Sequence, residues 1–312
     1  MTDLKHFPVM KDECLDGLKI KNGGVYFDGT LGGGGHSFEI LKRSSPNGKL
    51  YATDLDDYAI QRAGERLKEF QGRFTLVKSN FKNFLDVQKE YRIDGFDGIL
   101  LDLGVSSFQL DDRERGFSYL ANEVLLDMRM NKDNPLTAEY IVNNYQESEL
   151  KKIFFDYGEE KFSSNVAKNI VAQRKIAPIR TIGQLNQIIL DSIPKKFQHD
   201  GHPSKRVFQA LRIEVNGELD GLYDTVLNMA RSLKSGGRIV ILTFHSLEDR
   251  IVKNAFKYLE CDCICDKKLP VCVCDKRKEV EIITKHPITA GEVELQLNSR
   301  SKSAKLRIAE KI

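Results

Sequence analysis

Val25-Tyr26-Phe27-Asp28-Gly29-Thr30-Leu31-Gly32-Gly33-Gly34-Gly35-His36-Ser37 joins a short apolar run to a glycine-dense turn. A helical pattern follows in Phe38-Glu39-Ile40-Leu41. Strand, glycine turn and helix start together form the first unit of a nucleotide-cradling α/β fold. Four consecutive glycines remove the side chains at the turn, so a ligand can lie against bare backbone. The helix start then points its free amides at that ligand.

Working outward, further strands alternate with helical stretches. Lys49–Asp54, Phe74–Lys78 and residues 96–103 are the next three apolar runs, with a helix over 59–70 between the first two. Near-continuous apolar strands in βα alternation predict a parallel sheet covered on both faces. After Leu103 the alternation stops. Residues 111–207 offer no strand but show helical periodicity over 138–145, 147–155, 165–174 and 181–193, punctuated by Pro135, Pro178, Pro194 and Pro203. A long helix is expected over 204–232, then a fifth buried strand over 238–244 and a helix over 250–259 opened by a capping box at Ser246. Two late strands, 280–284 and 304–309, can close the sheet as a hairpin-like pair. The expectation is an α/β fold with a Rossmann-like sheet of seven strands, built from residues 1–110 and 208–312. An all-helical insertion, 111–207, interrupts it at the carboxyl ends of the strands, where open α/β sheets bind ligands, and would form one wall of the cleft.

Composition bounds the class. The chain has 312 residues, 41% hydrophobic and 30% charged, and lacks an apolar run long enough to span a bilayer. Met1 to His6 lack a charged-then-apolar signal pattern, so a cytoplasmic protein without a membrane partner is expected. The net charge of +3 hides an asymmetry: residues 111–160 carry 12 acidic and 6 basic side chains, whereas residues 161–213 carry 10 basic and 2 acidic. Such a basic run attracts polyanions, although a solvated helix face explains it equally well.

The glycine loop lacks the Gly-Lys-Ser/Thr of a phosphate cradle. Asp54, at the end of the second strand, can accept hydrogen bonds from ribose hydroxyls, which NAD and S-adenosylmethionine both carry, or can cap the next helix. Asp28 just before the glycines would repel a pyrophosphate but not the amine-bearing methionyl end of S-adenosylmethionine. The closing strand pair also fits a methyltransferase sheet better than a dinucleotide fold.

Seven segments then carry a family resemblance. They are His6-Phe7-Pro8-Val9, Asp28 to Ser37, Phe96 to Asp112, Arg115-Gly116-Phe117-Ser118, Leu126 to Met130, Phe244 to Arg250 and Asn298 to Arg307. In collinear order they resemble the bacterial 16S rRNA cytosine-N(4) methyltransferases. The resemblance implies methyl transfer from S-adenosylmethionine to a cytidine exocyclic amine in the decoding, P-site region of 16S rRNA on the small ribosomal subunit, with no DNA partner. It also implies cofactor contacts at Gly34, Gly35, His36, Asp54, Phe81, Asp102 and Gln109. Phe108 departs from the family pattern, which often has proline there. An NAD-dependent oxidoreductase and a non-catalytic assembly factor are the alternatives.

The chemistry narrows the catalytic candidates. A cytosine amine is a poor nucleophile because its lone pair is delocalised, so an acceptor for its proton and in-line positioning are needed. Asp102 ends the fourth strand and is the amine acceptor or a cofactor ligand. His245, after the fifth strand, is placed for a substrate pocket or is structural. Its neighbour Ser246 cannot easily share a triad hydrogen bond with it and is read as a helix cap. Phe81 can stack on adenine with Asn80 at its edge, although core packing is the commoner role of such a ring. Arg113, Arg115 and Arg129 suit phosphates or internal acids equally. The basic run and the tail residues Arg300, Lys302, Lys305 and Arg307 are the better RNA candidates. Cys261, Cys263, Cys265, Cys272 and Cys274 can supply thiolates to zinc, but Cys-x-Cys is less diagnostic than Cys-x-x-Cys, and no metal is assigned from the sequence.

Overall fold

The computed structural model describes residues 8–106, 109–110, 112–198, 202–266 and 271–312. The motif residues His6, Phe7, Ser107, Phe108 and Asp111 lie outside them, as do the side chains of Arg113 and Ser299. The chain divides into two compact units, residues 1–104 with 219–312, and residues 105–218.

The first unit is a seven-stranded sheet. In chain order its strands are β1 (Val25–Asp28), β2 (Lys49–Asp54), β3 (Phe74–Lys78), β4 (Phe96–Asp102), β5 (Leu233–Thr243), β6 (Val280–Ile282) and β7 (Lys305–Lys311). Their spatial order is β3-β2-β1-β4-β5-β7-β6. The first five are parallel, and β7 runs antiparallel between β5 and β6. Order reverses beside β1 and β4, which makes the carboxyl ends of those strands the topological switch point.

Both faces are covered, which is why the strands read as continuous apolar runs. Ile99 and Leu101 of β4, with Ile239 and Ile241 of β5, pack on one face against Phe27, Val226 and Phe256. Leu100, Val240 and Leu242 point to the other face, against Leu15, Ile40 and Leu41. Neighbouring residues thus serve opposite cores, as a pleat of period two requires. Phe27 is fully buried between the rings of Phe84 and Phe96, with centroids 6.0 and 5.7 Å away.

The strand β5 begins five residues before the expected 238. Its register to β4 jumps from Phe96↔Leu233 to Gly98↔Arg238, so residues 234–237 form a bulge, with Gly236 at φ +75°. Gly236 and Gly237 therefore lie inside a strand.

The second unit is helical. Ala138–Asn144, Glu147–Asp156, Ser163–Arg174, Ile182–Ser192 and Ser204–Asn216 surround a core that includes Leu150, Phe154, Ile170, Leu185, Ile189 and Leu211. Thr137 and Thr181 cap their helices by accepting from the amides of Tyr140 and Gln184. The expected helix over 204–232 is two helices. Ser204–Asn216 ends on Gly217 in the left-handed region, and Leu222–Arg231 starts after Gly221, also left-handed. Gly217 holds the usual helix-stopping position. The helix 204–216 packs with the second unit, so the borders expected at 110/111 and 207/208 move outward to 104/105 and 218/219.

Candidate active site

The loop after β1 is stitched to the ends of the two neighbouring strands, β2 and β4. The amide of Gly29 donates to the Leu100 carbonyl at 3.0 Å, and that of Leu31 to Thr53 at 3.1 Å. Thr53 Oγ1 donates to the Gly29 carbonyl, and the Asp102 amide to Thr30 Oγ1 at 2.6 Å. Gly34 turns the chain at φ +72° and is the N-cap of the helix Gly35–Arg43. A side chain on Gly34 would also press on Ala63 at 3.1 Å, and one on Gly35 would collide with Pro8. Those two glycines thus let neighbouring elements approach the loop. At Gly32, φ +48°, an added Cβ would meet nothing nearer than the Thr30 carbonyl at 3.9 Å.

Asp54 holds the loop from β2. Its Oδ2 accepts from the Gly32 amide at 2.8 Å and its Oδ1 from Asp56 at 2.9 Å. Asp56, not Asp54, caps the following helix Asp57–Arg66. Burial raises the Asp54 pKa, with the amide bonds opposing. Phe81 opens the turn Phe81–Asn83 beyond β3 and is half-buried at the core edge beside Gly29. Asn80 Oδ1 caps that turn by accepting from the Lys82 amide.

Asp28 is 1% exposed, and both its oxygens are engaged, Oδ1 by the Thr30 amide and Oδ2 by Ser37 Oγ at 2.7 Å. It anchors the loop and acts on its surroundings through its charge. Burial pushes its pKa up to about 6.

Asp102 ends β4 in a different state. Its side chain is 25% exposed, yet its Oδ1 is buried and makes no hydrogen bond. Burial, then the neighbouring Asp28 and Glu248 carboxyls, push its pKa up to about 8. His36 Nε2 stands 3.8 Å from Asp102 Oδ2. That separation would suit an ion pair, but burial and the Lys11 charge push the His36 pKa down to about 4, so the ring is neutral at neutral pH. Neither ring nitrogen of His36 has a hydrogen-bond partner among the described residues. The reachable Asp102 carboxyl at the tip of β4 thus has the Asp28 carboxyl at the tip of β1, the Glu248 carboxyl and the uncharged His36 imidazole around it. This arrangement favours a cation strongly.

His245 has a clear structural task. It is the N-cap of the helix Ser246–Glu260, in a capping box with Glu248, whose Oε2 accepts from the Phe244 amide at 2.8 Å. Ser246, expected as the cap, is the first helical residue. His245 Nε2 also lies 3.1 Å from Glu248 Oε1. Thr30, Ser37 and Glu248 are the supporting residues that motif reading passed over, although each lies within a quoted motif. Gln109 lies in the second unit, where its Oε1 accepts from the Ser106 amide.

The arginines sort cleanly. Arg115 is buried and donates to the Arg129 and Met130 carbonyls, and Arg129 forks onto Asp127. Arg307 is buried and grips Asp249 through two bonds, 2.6 and 3.1 Å, so it leaves the set of RNA candidates. In the basic run, Lys161, Lys168, Lys175, Arg180, Lys195, Lys196, Lys205 and Arg206 are exposed.

Comparison with known proteins decides the family. The family model described as the MraW methylase family matches residues 3–312. The chain belongs to the MraW methylase family. It is similar to the "Ribosomal RNA small subunit methyltransferase H 2" of Agathobacter rectalis, 53% identical over 310 residues covering 99% of each chain. It is similar also to the "Ribosomal RNA small subunit methyltransferase H" of Clostridium botulinum, 52% identical over 310 residues, 99% of this chain and all of that one. As a MraW methylase it is a methyltransferase, and S-adenosylmethionine is its methyl donor. The acidic, cation-seeking switch point with its orphaned Asp102 oxygen fits that cationic donor. No helix among the described residues is long and apolar enough to cross a membrane.

Proposed function

We propose that this methyltransferase acts on the exocyclic N(4) amine of a cytidine in the decoding, P-site region of 16S rRNA, on the small ribosomal subunit in the cytoplasm. The observation that carries the mechanism is Asp102, a reachable carboxyl whose buried oxygen lacks a partner beside an acid-rich strand tip. The names of the relatives support the rRNA substrate.

When bound, S-adenosylmethionine supplies an electrophilic methyl group on a sulfonium. Gly32, Asp54, His36 and Phe81 would hold it around the loop. A positive charge beside Asp102 favours its ionised form and so pulls its pKa below the free value. The carboxylate then accepts a hydrogen bond from the cytidine amine and keeps the amine lone pair off the ring. Asp102, whose proton affinity is high in the free protein, would then take up the proton that the amine sheds on methylation. His245 keeps Asp102 company indirectly by fixing Glu248, whose charge adds to the raised pKa. The exposed lysines of the second unit bind RNA phosphates.

The test is single-turnover methylation of unmethylated 16S rRNA, naked and in small subunits, by wild type, Asp102→Asn and Asp102→Glu. The expected result is a rate at least 100-fold lower for Asp102→Asn, in line with the usual contribution of a positioned base. Full rate and cofactor affinity in Asp102→Asn would remove both roles from Asp102.

A further inference from the structure

The loop between the helix Ser246–Glu260 and β6 carries a second cluster that methyl transfer does not use. The thiols of Cys263, Cys265, Cys272 and Cys274 all lie within 4.8 Å of one another. Four of the separations are 3.5 Å (Cys263–Cys272), 3.6 Å (Cys272–Cys274), 3.8 Å (Cys263–Cys274) and 3.9 Å (Cys265–Cys272). These are far longer than the roughly 2.05 Å of a disulfide. Four thiolates bound tetrahedrally to one zinc ion at about 2.3 Å would stand about 3.8 Å apart. A four-iron cluster places each thiolate on a different iron and needs wider spacing.

Two further observations point the same way. Three backbone amides aim at the sulfurs: Ile264 at Cys274 (3.4 Å), Cys265 at Cys263 (3.4 Å) and Val273 at Cys265 (3.3 Å). Amides donating to ligand atoms are the outer layer of a metal site, because they offset the charge of the crowded thiolates. Among its described residues the loop also has little apolar packing: Ile264, Val271 and Val273 are 56%, 70% and 77% exposed. A segment with so little core needs another device to hold four sulfurs together.

We propose that Cys263, Cys265, Cys272 and Cys274 bind one structural zinc ion as thiolates, knotting this loop independently of the methyltransferase site. All four ligand positions belong to the protein, which makes the site closed and non-catalytic. Cys261 is outside the set; its thiol donates to the Cys263 carbonyl.

The test uses the full chain purified under reducing conditions without a metal-affinity tag. Metal content is measured by mass spectrometry for wild type, Cys261→Ser and the pair Cys263→Ser/Cys272→Ser, and wild-type apoprotein is titrated with Zn2+ and with Co2+. The expected result is one zinc per chain in wild type and Cys261→Ser, its loss in the double variant, and a thiolate-to-cobalt charge-transfer band at one equivalent. Methyl transfer is expected to survive in the double variant. Absence of zinc in wild type together with no uptake on titration would overturn the proposal. So would zinc retained at full occupancy in the double variant, or iron alone in place of zinc. The cobalt titration reads the wild-type fold, so it stands even if the double variant misfolds.

Discussion

Affinity for S-adenosylmethionine should rise with pH in a way that Asp102→Asn abolishes. In the free protein the Asp102 pKa is raised to about 8 from 3.8, by burial first and by Asp28 and Glu248 next. At pH 7 about one molecule in ten therefore holds Asp102 as a carboxylate, and at pH 9 about nine in ten. A cationic ligand binds the carboxylate form and must expel the proton from the rest. Binding thus strengthens about tenfold between pH 7 and pH 9 through this group, or about 1.4 kcal/mol. The cofactor's own α-amine titrates near 8, so the quantity to compare is the ratio of wild-type to Asp102→Asn affinity at each pH. Titration calorimetry in buffers of different ionisation enthalpy gives both that ratio and the protons released. The expectation is a ratio climbing about tenfold and close to one extra proton released by wild type at pH 7. A flat ratio, with equal proton release in the two proteins, would refute the electrostatic reading of the strand tips.

The same raised pKa has a stability consequence. A carboxyl that binds its proton more tightly when folded loses the fold stability as pH rises from about 4 toward 8, so Asp102→Asn is expected to melt higher than wild type at pH 8.5 without cofactor; an unchanged or lower Tm contradicts this. Gly34→Ala forces a side chain to φ +72° and against Ala63, and should cost about 1–2 kcal/mol in denaturant unfolding; a neutral result would show that the turn relaxes. His245→Ala removes a helix cap and should cost about 1 kcal/mol, with cofactor affinity changed less than by Asp102→Asn; the reverse order would make His245 a ligand contact. Replacing Lys168, Lys175, Lys195 and Lys196 by glutamine should weaken rRNA binding and flatten its salt dependence by up to about 0.7–0.9 per lost contact; an unaltered slope moves the RNA surface elsewhere.

Much of the sheet was legible because its strands serve two cores at once. Leu100 and Leu101 of β4, like Val240 and Ile241 of β5, face opposite sides, and that demand writes continuous apolar runs into the sequence. Breaks and partners were harder to read. The helix end at Gly217 was marked by Asn216-Gly217 but hidden by apolar periodicity that continues on both sides. His245 caps its helix through an imidazole nitrogen, a role that serine fills more often, so the adjacent Ser246 drew the assignment. Arg307 looked free because its partner, Asp249, is 58 residues away and meets it only when β7 enters the sheet beside β5. At the site, the motifs pointed to Asp28, Asp54 and Asp102 with different roles but did not show how each is held. Their different fates, two tied down and one reachable, depend on amide donors and burial that sequence does not display.

The most direct measurement is to incubate the protein with methyl-labelled S-adenosylmethionine and unmethylated 16S rRNA or small subunits, digest the RNA to nucleosides, and locate the label. The account predicts label in N(4)-methylcytidine at a single decoding-region position, lost with Asp102→Asn. Label on another base, on a carbon or oxygen atom, or no label in RNA at all would contradict it.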